Sequence, residues 1–248
     1  MSEFPPPFEH GEILQLFDDI FFVTGAMAIE GRPLRFSRNM VIVRENGNLT
    51  LINTVRLTDA GLAALESLGQ VRHVIRLAGY HGRDDAFYKH KYGATVLAVR
   101  GQVYVPGFEL DAEPSFQADQ FIDDGSDLPI ADARLVTMRH AKTPEGLLLM
   151  LRDGGVLVAG DTLQNWSAPD RYFSLMARLM MRLLGFIKPF NVGPGWLKAA
   201  KPSAEDLENL LEMRFEHVLP AHGDEVIGGA REKFAPAIRA AAARLRTR

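Results

Sequence analysis

Asn46-Gly47 separates two β-rich runs, Arg38–Arg44 and Leu49–Asn53. An Asn-Gly pair in that position is the strongest short-range signal for a two-residue hairpin, because both residues tolerate the positive φ such a turn requires. The strand-like run Ile20–Thr24 precedes it and ends at Gly25, so the chain is expected to open as an antiparallel meander. The period then changes. Leu62, Leu65 and Leu68 read as one face of a helix that starts at Thr58 or Asp59 and is closed by Gly69.

The remaining elements alternate. Strands are expected at Val71–Leu77, Ala94–Ala98, Arg134–Met138, Gly146–Leu151, Val156–Ala159 and His217–Pro220. Helices are expected at Asp85–Tyr92 and over residues 171–184, 203–214 and 229–246, with a Gly/Pro/Asn loop at 190–195. Residues 101–132 read as irregular and acidic, with one strand near Phe116–Ile122. Pro5, Pro6 and Pro7 make residues 1–17 an N-terminal arm, followed by a single domain over 18–248. Two halves that each carry strands and helices suggest an α+β four-layer αββα sandwich or a mixed three-layer sheet. Periodicity alone does not choose between them.

Composition removes whole classes of function. The 248 residues carry 28 basic and 31 acidic side chains, both signs interspersed, for a net charge of −3. No basic footprint for general nucleic-acid binding stands out. The absence of cysteine excludes disulfides, thiolate metal sites and cysteine nucleophiles together. No Gly-rich phosphate loop and no G-x-S-x-G elbow occurs. The first residues are acidic and proline-rich, without the pattern of a secretory signal, and a cytoplasmic protein is expected. Tyr172–Ile187 is the most apolar stretch, but Arg178 and Arg182 interrupt it and it is too short to span a bilayer.

Metal-binding side chains are not spread evenly. Four apolar strands are each followed by a His or Asp: His81 (then Arg83, Asp84 and Asp85), His140, Gly160-Asp161, and Ala221-His222-Gly223. Imidazoles and carboxylates delivered from several loops at one sheet edge build open catalytic metal sites. His10, His73, His90 and His217 have no such context and read as structural or surface residues.

In that order and context the chain resembles the metallo-β-lactamase fold superfamily, over roughly residues 18–225. The hairpin Met40–Thr54 is similar to the family's opening, with Asn53 where an Asp is usual. His140 before Thr143-Pro144-Glu145-Gly146 looks like its lone His, Asp161 like its metal-bridging Asp, and Pro220-Ala221-His222-Gly223 like its last His. The family's H-x-H-x-D-H motif is degraded here. If His81 stands for the first His, Arg83 replaces the second, Asp85 matches the Asp and Ala86 replaces the last His. If His81 stands for the second, Gly79, Arg83 and Asp84 occupy the other places. Both registers lose at least two ligands and bring in a guanidinium that cannot coordinate a cation.

The resemblance therefore implies a four-layer αββα sandwich and, in place of a binuclear centre, one divalent zinc, iron or manganese ion held by His81, His140, Asp161 and His222. Such an ion would activate water for hydrolysis of an ester, amide or phosphodiester. Asp84 or Asp85 would act as base or orienter, and Arg83 would steady an anionic group. The alternative is a metal-free descendant, in which Arg83 pairs with Asp161 or Asp85 and the cleft binds a small molecule or a partner protein. The Met-rich helix at 171–187, bracketed by Trp166 and Trp196, is expected to be core, to line a pocket for an apolar or anionic small molecule, or to form a homodimer face.

Overall fold

The computed structural model describes residues 4–29, 31–104 and 116–247. Side-chain alternation decides the layers. In β3 (Arg35–Glu45), Met40 and Ile42 join one apolar core while Val41 and Val43 join another. β3 is therefore buried on both faces, as an inner strand of a sandwich must be.

The larger sheet runs in chain order: β1 (Leu14–Phe17), β2 (Ile20–Ala28), β3, β4 (Asn48–Ile52), β5 (Gln70–Arg76), β6 (Thr95–Val99) and β7 (Gln120–Ile122). It is antiparallel up to β4 and parallel from β4 to β7. The β3–β4 turn is the predicted one, with Asn46 and Gly47 both at positive φ. The parallel links need crossovers. α1 (Asp59–Leu68) supplies one, its Thr58 hydroxyl accepting the Gly61 amide, and α2 (Asp85–Tyr92) supplies the next.

A second sheet packs against the first. It contains β8 (Ala133–Thr137), β9 (Gly146–Met150), β10 (Val156–Ala159) and a later strand, His217–Pro220. Leu148, Met150, Val156 and Val158 face the first sheet and meet Ile20, Phe22, Ile75 and Leu97 there. Leu147, Leu149, Leu157 and Ala159 face outward, against helices from the second half of the chain. Between β10 and that last strand lie β11 (Leu163–Gln164), α3 (Leu175–Leu183), β12 (Asn191–Val192), α4 (Pro194–Ala200) and α5 (Ala204–Glu212). The final strand is β13 (His217–Pro220), and α6 (Ala230–Arg246) closes the chain. Helix, sheet, sheet, helix is the order of layers, which settles the choice that periodicity left open.

Three expectations change. The N-terminal arm is shorter than 17 residues, because Leu14–Phe17 pairs with β2 and the Gly11 amide donates to the Thr24 carbonyl at 2.8 Å. Four residues show no readable period, and only the open edge of β2 makes them a strand. The loop at 190–195 contains β12 and the start of α4, with Pro194 at the first helical turn, where its missing N–H costs nothing. α3 begins at Leu175 rather than 171, because Ser174 caps it. Residues 105–115 of the acidic stretch lie outside the described residues.

Candidate metal centre

β10 and β13 are parallel, with Ala159 opposite Pro220. Two residues further on, each strand has turned into its loop, and the same register brings out Asp161 and His222 side by side. His222 is followed by Gly223 at φ +90°, where a Cβ would fall 2.2 Å from the Asn165 carbonyl carbon. Only glycine fits, which gives the His-Gly pair its physical reason. His81 comes from the other sheet. It lies in a turn after β5, held where the Arg76 guanidinium donates to the carbonyls of Ala78 (3.1 Å) and Gly79.

Three ligand atoms converge. His222 Nε2 lies 3.1 Å from Asp161 Oδ1, His81 Nε2 lies 3.5 Å from the same oxygen, and the two imidazole nitrogens are 3.3 Å apart. The His81–Asp161 separation exceeds the 2.7–3.2 Å range of N–H···O bonds. A tetrahedral ion with bonds of about 2.0–2.1 Å has ligand–ligand edges of about 3.3–3.4 Å, and the three distances straddle that value. Proton inventory points the same way. His222 Nδ1 is 3.0 Å from the Ser37 carbonyl, which can only accept, so Nδ1 carries the proton. In the neutral ring, Nε2 then aims a lone pair at the Asp161 carboxylate. A second proton or a cation must lie between them, and a second-nitrogen hydrogen bond to a carbonyl is how metal-binding imidazoles are oriented. The residues fit a divalent ion.

The electrostatics agree. Burial lowers the His81 pKa against the raising effect of Asp161, which favours its neutral, ligating form. Burial would raise Asp161, but the two histidines, when protonated, hold it well below the usual carboxylate range, the effect that positive charge at this point has on the carboxylate. Glu145 is buried behind it and accepts the Thr162 amide at 2.6 Å and the Thr162 hydroxyl. Burial, together with the charge of Asp161, pushes Glu145 well above the ordinary carboxyl range.

The structure does not bring His140 into this group. Its side chain is 53% exposed, with Nδ1 3.1 Å from Asp206 Oδ1 and 3.2 Å from Ser203 Oγ. Asp206 belongs to the capping box of α5, so this histidine is tied to a helix start outside the cluster. The expectations for Arg83, Asp84 and Asp85 are corrected too. Arg83 donates to Asp84 at 2.8 Å and lies over the Phe8 ring, pairing with neither Asp161 nor Asp85. Asp84 is a buried counter-ion that also accepts from Arg38 and from the Arg56 amide at 2.8 Å. It sits at the N-cap of α2 without capping it. Asp85 is fully buried and accepts from Thr54 at 2.5 Å and Tyr104 at 2.6 Å. Burial raises its pKa. Both carboxylates are committed to other partners, so neither is placed to serve as a base.

Other residues matter that the motif reading passed over. Ser37, Arg38 and Asn39 are a buried polar triplet in an apolar strand. Ser37 orients His222, and Asn39 donates to the carbonyls of Pro220 (2.9 Å) and Gly223 (2.7 Å), clamping the His222 loop from both ends. Three consecutive polar residues at the head of a β-branched run were the available signal.

The cluster lies at the floor of a cavity of about 370 Å³. Leu34, Phe36, Trp166, Met180, Leu184 and Trp196 contribute to its walls, so α3 and α4 both line it. Trp166 also packs against His222, ring centroids 4.9 Å apart and the planes tilted by 40°, while its indole N–H donates to Ser37 Oγ at 3.0 Å.

No protein-family model and no curated protein sequence matches this chain. Solved structures do. The DIM-1 metallo-β-lactamase superposes with a TM-score of 0.64 at 15% identity, covering 95% of this chain and 99% of its own. A metallo-β-lactamase from Erythrobacter litoralis gives 0.59 at 14%, covering 96% and 95%. FIM-1 from Pseudomonas aeruginosa, solved in a mono-zinc form, gives 0.58 at 11%, covering 96% and 98%. At these identities the likeness carries the fold alone. The chain has the metallo-β-lactamase fold.

Proposed function

We propose, from that fold and the three-residue centre it positions, that this chain is a metal-dependent hydrolase working with a single divalent cation. The observation that carries the reading is the convergence of His81 Nε2, Asp161 Oδ1 and His222 Nε2 at 3.1–3.5 Å on the floor of an apolar cavity. Such a cation, when bound, polarises a scissile carbonyl or phosphoryl group and supplies a nucleophile from water near neutral pH. The chain's own residues do the rest. Ser37 and Trp166 hold the His222 ring in its ligating tautomer and plane, and Glu145 anchors the loop that presents Asp161. The walls exclude water and accept the apolar part of an ester, amide or phosphodiester substrate.

Metal content tests this reading directly. Protein purified without chelator should carry about one equivalent of zinc, iron or manganese by elemental mass spectrometry. His81→Ala and His222→Ala should lose it, while His140→Ala should keep it. No metal above background in the parent chain, or loss in the His140 variant, would overturn the assignment. A metal-free result would leave the cleft as a ligand-binding site.

A further inference from the structure

α3 has two apolar sides. Ala177 and Met181 pack inward on Leu34, Trp166 and Phe173. Leu175, Leu179 and Leu183, at 83%, 64% and 77% exposure, form a second stripe facing out, with half-exposed Met176 beside them. The two sides are continuous. Met180 and Leu184, next around the helix, line the cavity, and Leu184 is itself more than half exposed. The apolar surface therefore runs from the outer stripe into the pocket without a polar break.

Charge says what covers this face. Residues 171–204 contain Arg178, Arg182, Lys188, Lys198 and Lys201, besides Arg171, which pairs with Glu9 at 3.8 Å, and no acidic residue, in a chain whose net charge is −3. Arg32 and Arg35, on the segment packed beside α3, are exposed as well. A second copy suits the face poorly. A two-fold contact through α3 would bring Arg178 and Arg182 towards their own copies. A helix of nine residues is also only about 14 Å long and about 10 Å wide, a footprint far below the ~800 Å² per partner of a stable interface. Leucines flanked by arginines and lysines are the chemistry of a helix lying in an anionic lipid surface.

We propose that α3 and its cationic flanks dock on an anionic bilayer, and that an amphiphilic substrate with an apolar tail passes from the bilayer along Met180 and Leu184 into the cavity. Docking stands on the surface alone; the nature of the cargo rests on the hydrolase reading above.

Sedimentation of the full chain with vesicles tests it, using phosphatidylcholine alone and phosphatidylcholine mixed with phosphatidylglycerol. The protein should partition onto the mixed vesicles, weakly onto phosphatidylcholine, and less at high salt. Leu179→Ser/Leu183→Ser should bind the mixed vesicles at least ~10-fold more weakly, and Arg182→Glu/Lys188→Glu should lose the preference for anionic lipid. All these positions but Lys188 lie on α3's outer side and all are exposed, so the melting temperature and metal content should stay at parent values. No partitioning onto mixed vesicles, or equal partitioning by the leucine variant, overturns the proposal. So does a parent dimer in sedimentation velocity that the leucine variant makes monomeric, because a second copy would then own the face. Metal retained without vesicle binding overturns docking alone, and vesicle binding without metal overturns the hydrolase reading alone.

Discussion

His140 and His222 both follow strands of the smaller sheet, yet their rings are employed differently. The Ser37 carbonyl claims one nitrogen of His222 and leaves the other for the cluster, whereas Asp206 and Ser203 draw His140 to the start of α5. The same contrast governs the carboxylates. Asp161 faces the two imidazoles of the cluster, while Asp84 is spent on Arg38 and Arg83. Away from the site, Arg152 bridges Asp132 and Glu45, tying the smaller sheet to the end of β3. Hydrogen bonds from Arg152 hold the Asp132 pKa below its usual value. A carboxyl depressed in the folded state contributes stability that is present above its unfolded pKa of about 3.9 and is lost as pH falls through the folded value. Asp132→Asn should therefore cost up to about 1 kcal/mol at pH 7, a deficit that shrinks as the pH drops below about 4. Urea melts across that range measure it, and a deficit that stays constant with pH would refute the ion-pair origin.

Each site residue owes its place to an element that the local sequence specifies well. α2 closes at Gly93 in the left-handed conformation, and α5 begins in a reciprocal Ser203–Asp206 capping box. Gly193 is the most tightly enclosed glycine of the segment between Asp161 and His222. Its amide donates to the Thr162 carbonyl at 2.9 Å, and a Cβ on it would stand 2.0 Å from the Asp161 carbonyl oxygen. Gly193→Ala must push the Asp161 loop away from its position. The expected result is loss of bound metal together with about 1–3 kcal/mol of stability, read by elemental analysis and denaturant melts. Full metal and an unchanged midpoint would show that the loop gives way cheaply.

Across the whole molecule, the site exists because two sheets end at one edge and are pinned there. Asn53, at φ +54° just after β4, does the pinning. Its side-chain oxygen accepts the Leu77 amide at 3.1 Å, and its side-chain amide faces the Ala159 carbonyl across a long 3.5 Å contact, so it stands between the strand before His81 and the strand before Asp161. Asn53→Ala leaves buried groups unpaired and puts an ordinary residue in a left-handed conformation, at about 2–4 kcal/mol in all. Denaturant melts should show that loss with metal affinity falling alongside it; a loss under about 0.5 kcal/mol would deny Asn53 this role. Much of this architecture was legible in the chain. The Asn46-Gly47 hairpin, the leucine spacing of α1, the bounds of α2 and β10, and the strand-end positions of His81, Asp161 and His222 all follow from local pattern and turn chemistry. The strand status of Leu14–Phe17, the exclusion of His140, the burial of Asp84 and Asp85 and the clamp formed by Ser37 and Asn39 were not legible. Each depends on a partner some twenty to one hundred and eighty residues away, or on a neighbouring strand's free edge. Local sequence dictates what a segment can become, through backbone sterics and side-chain period. Which of several competent ligands turns inward is decided only when the packed sheets have settled which nitrogen and oxygen atoms are already taken.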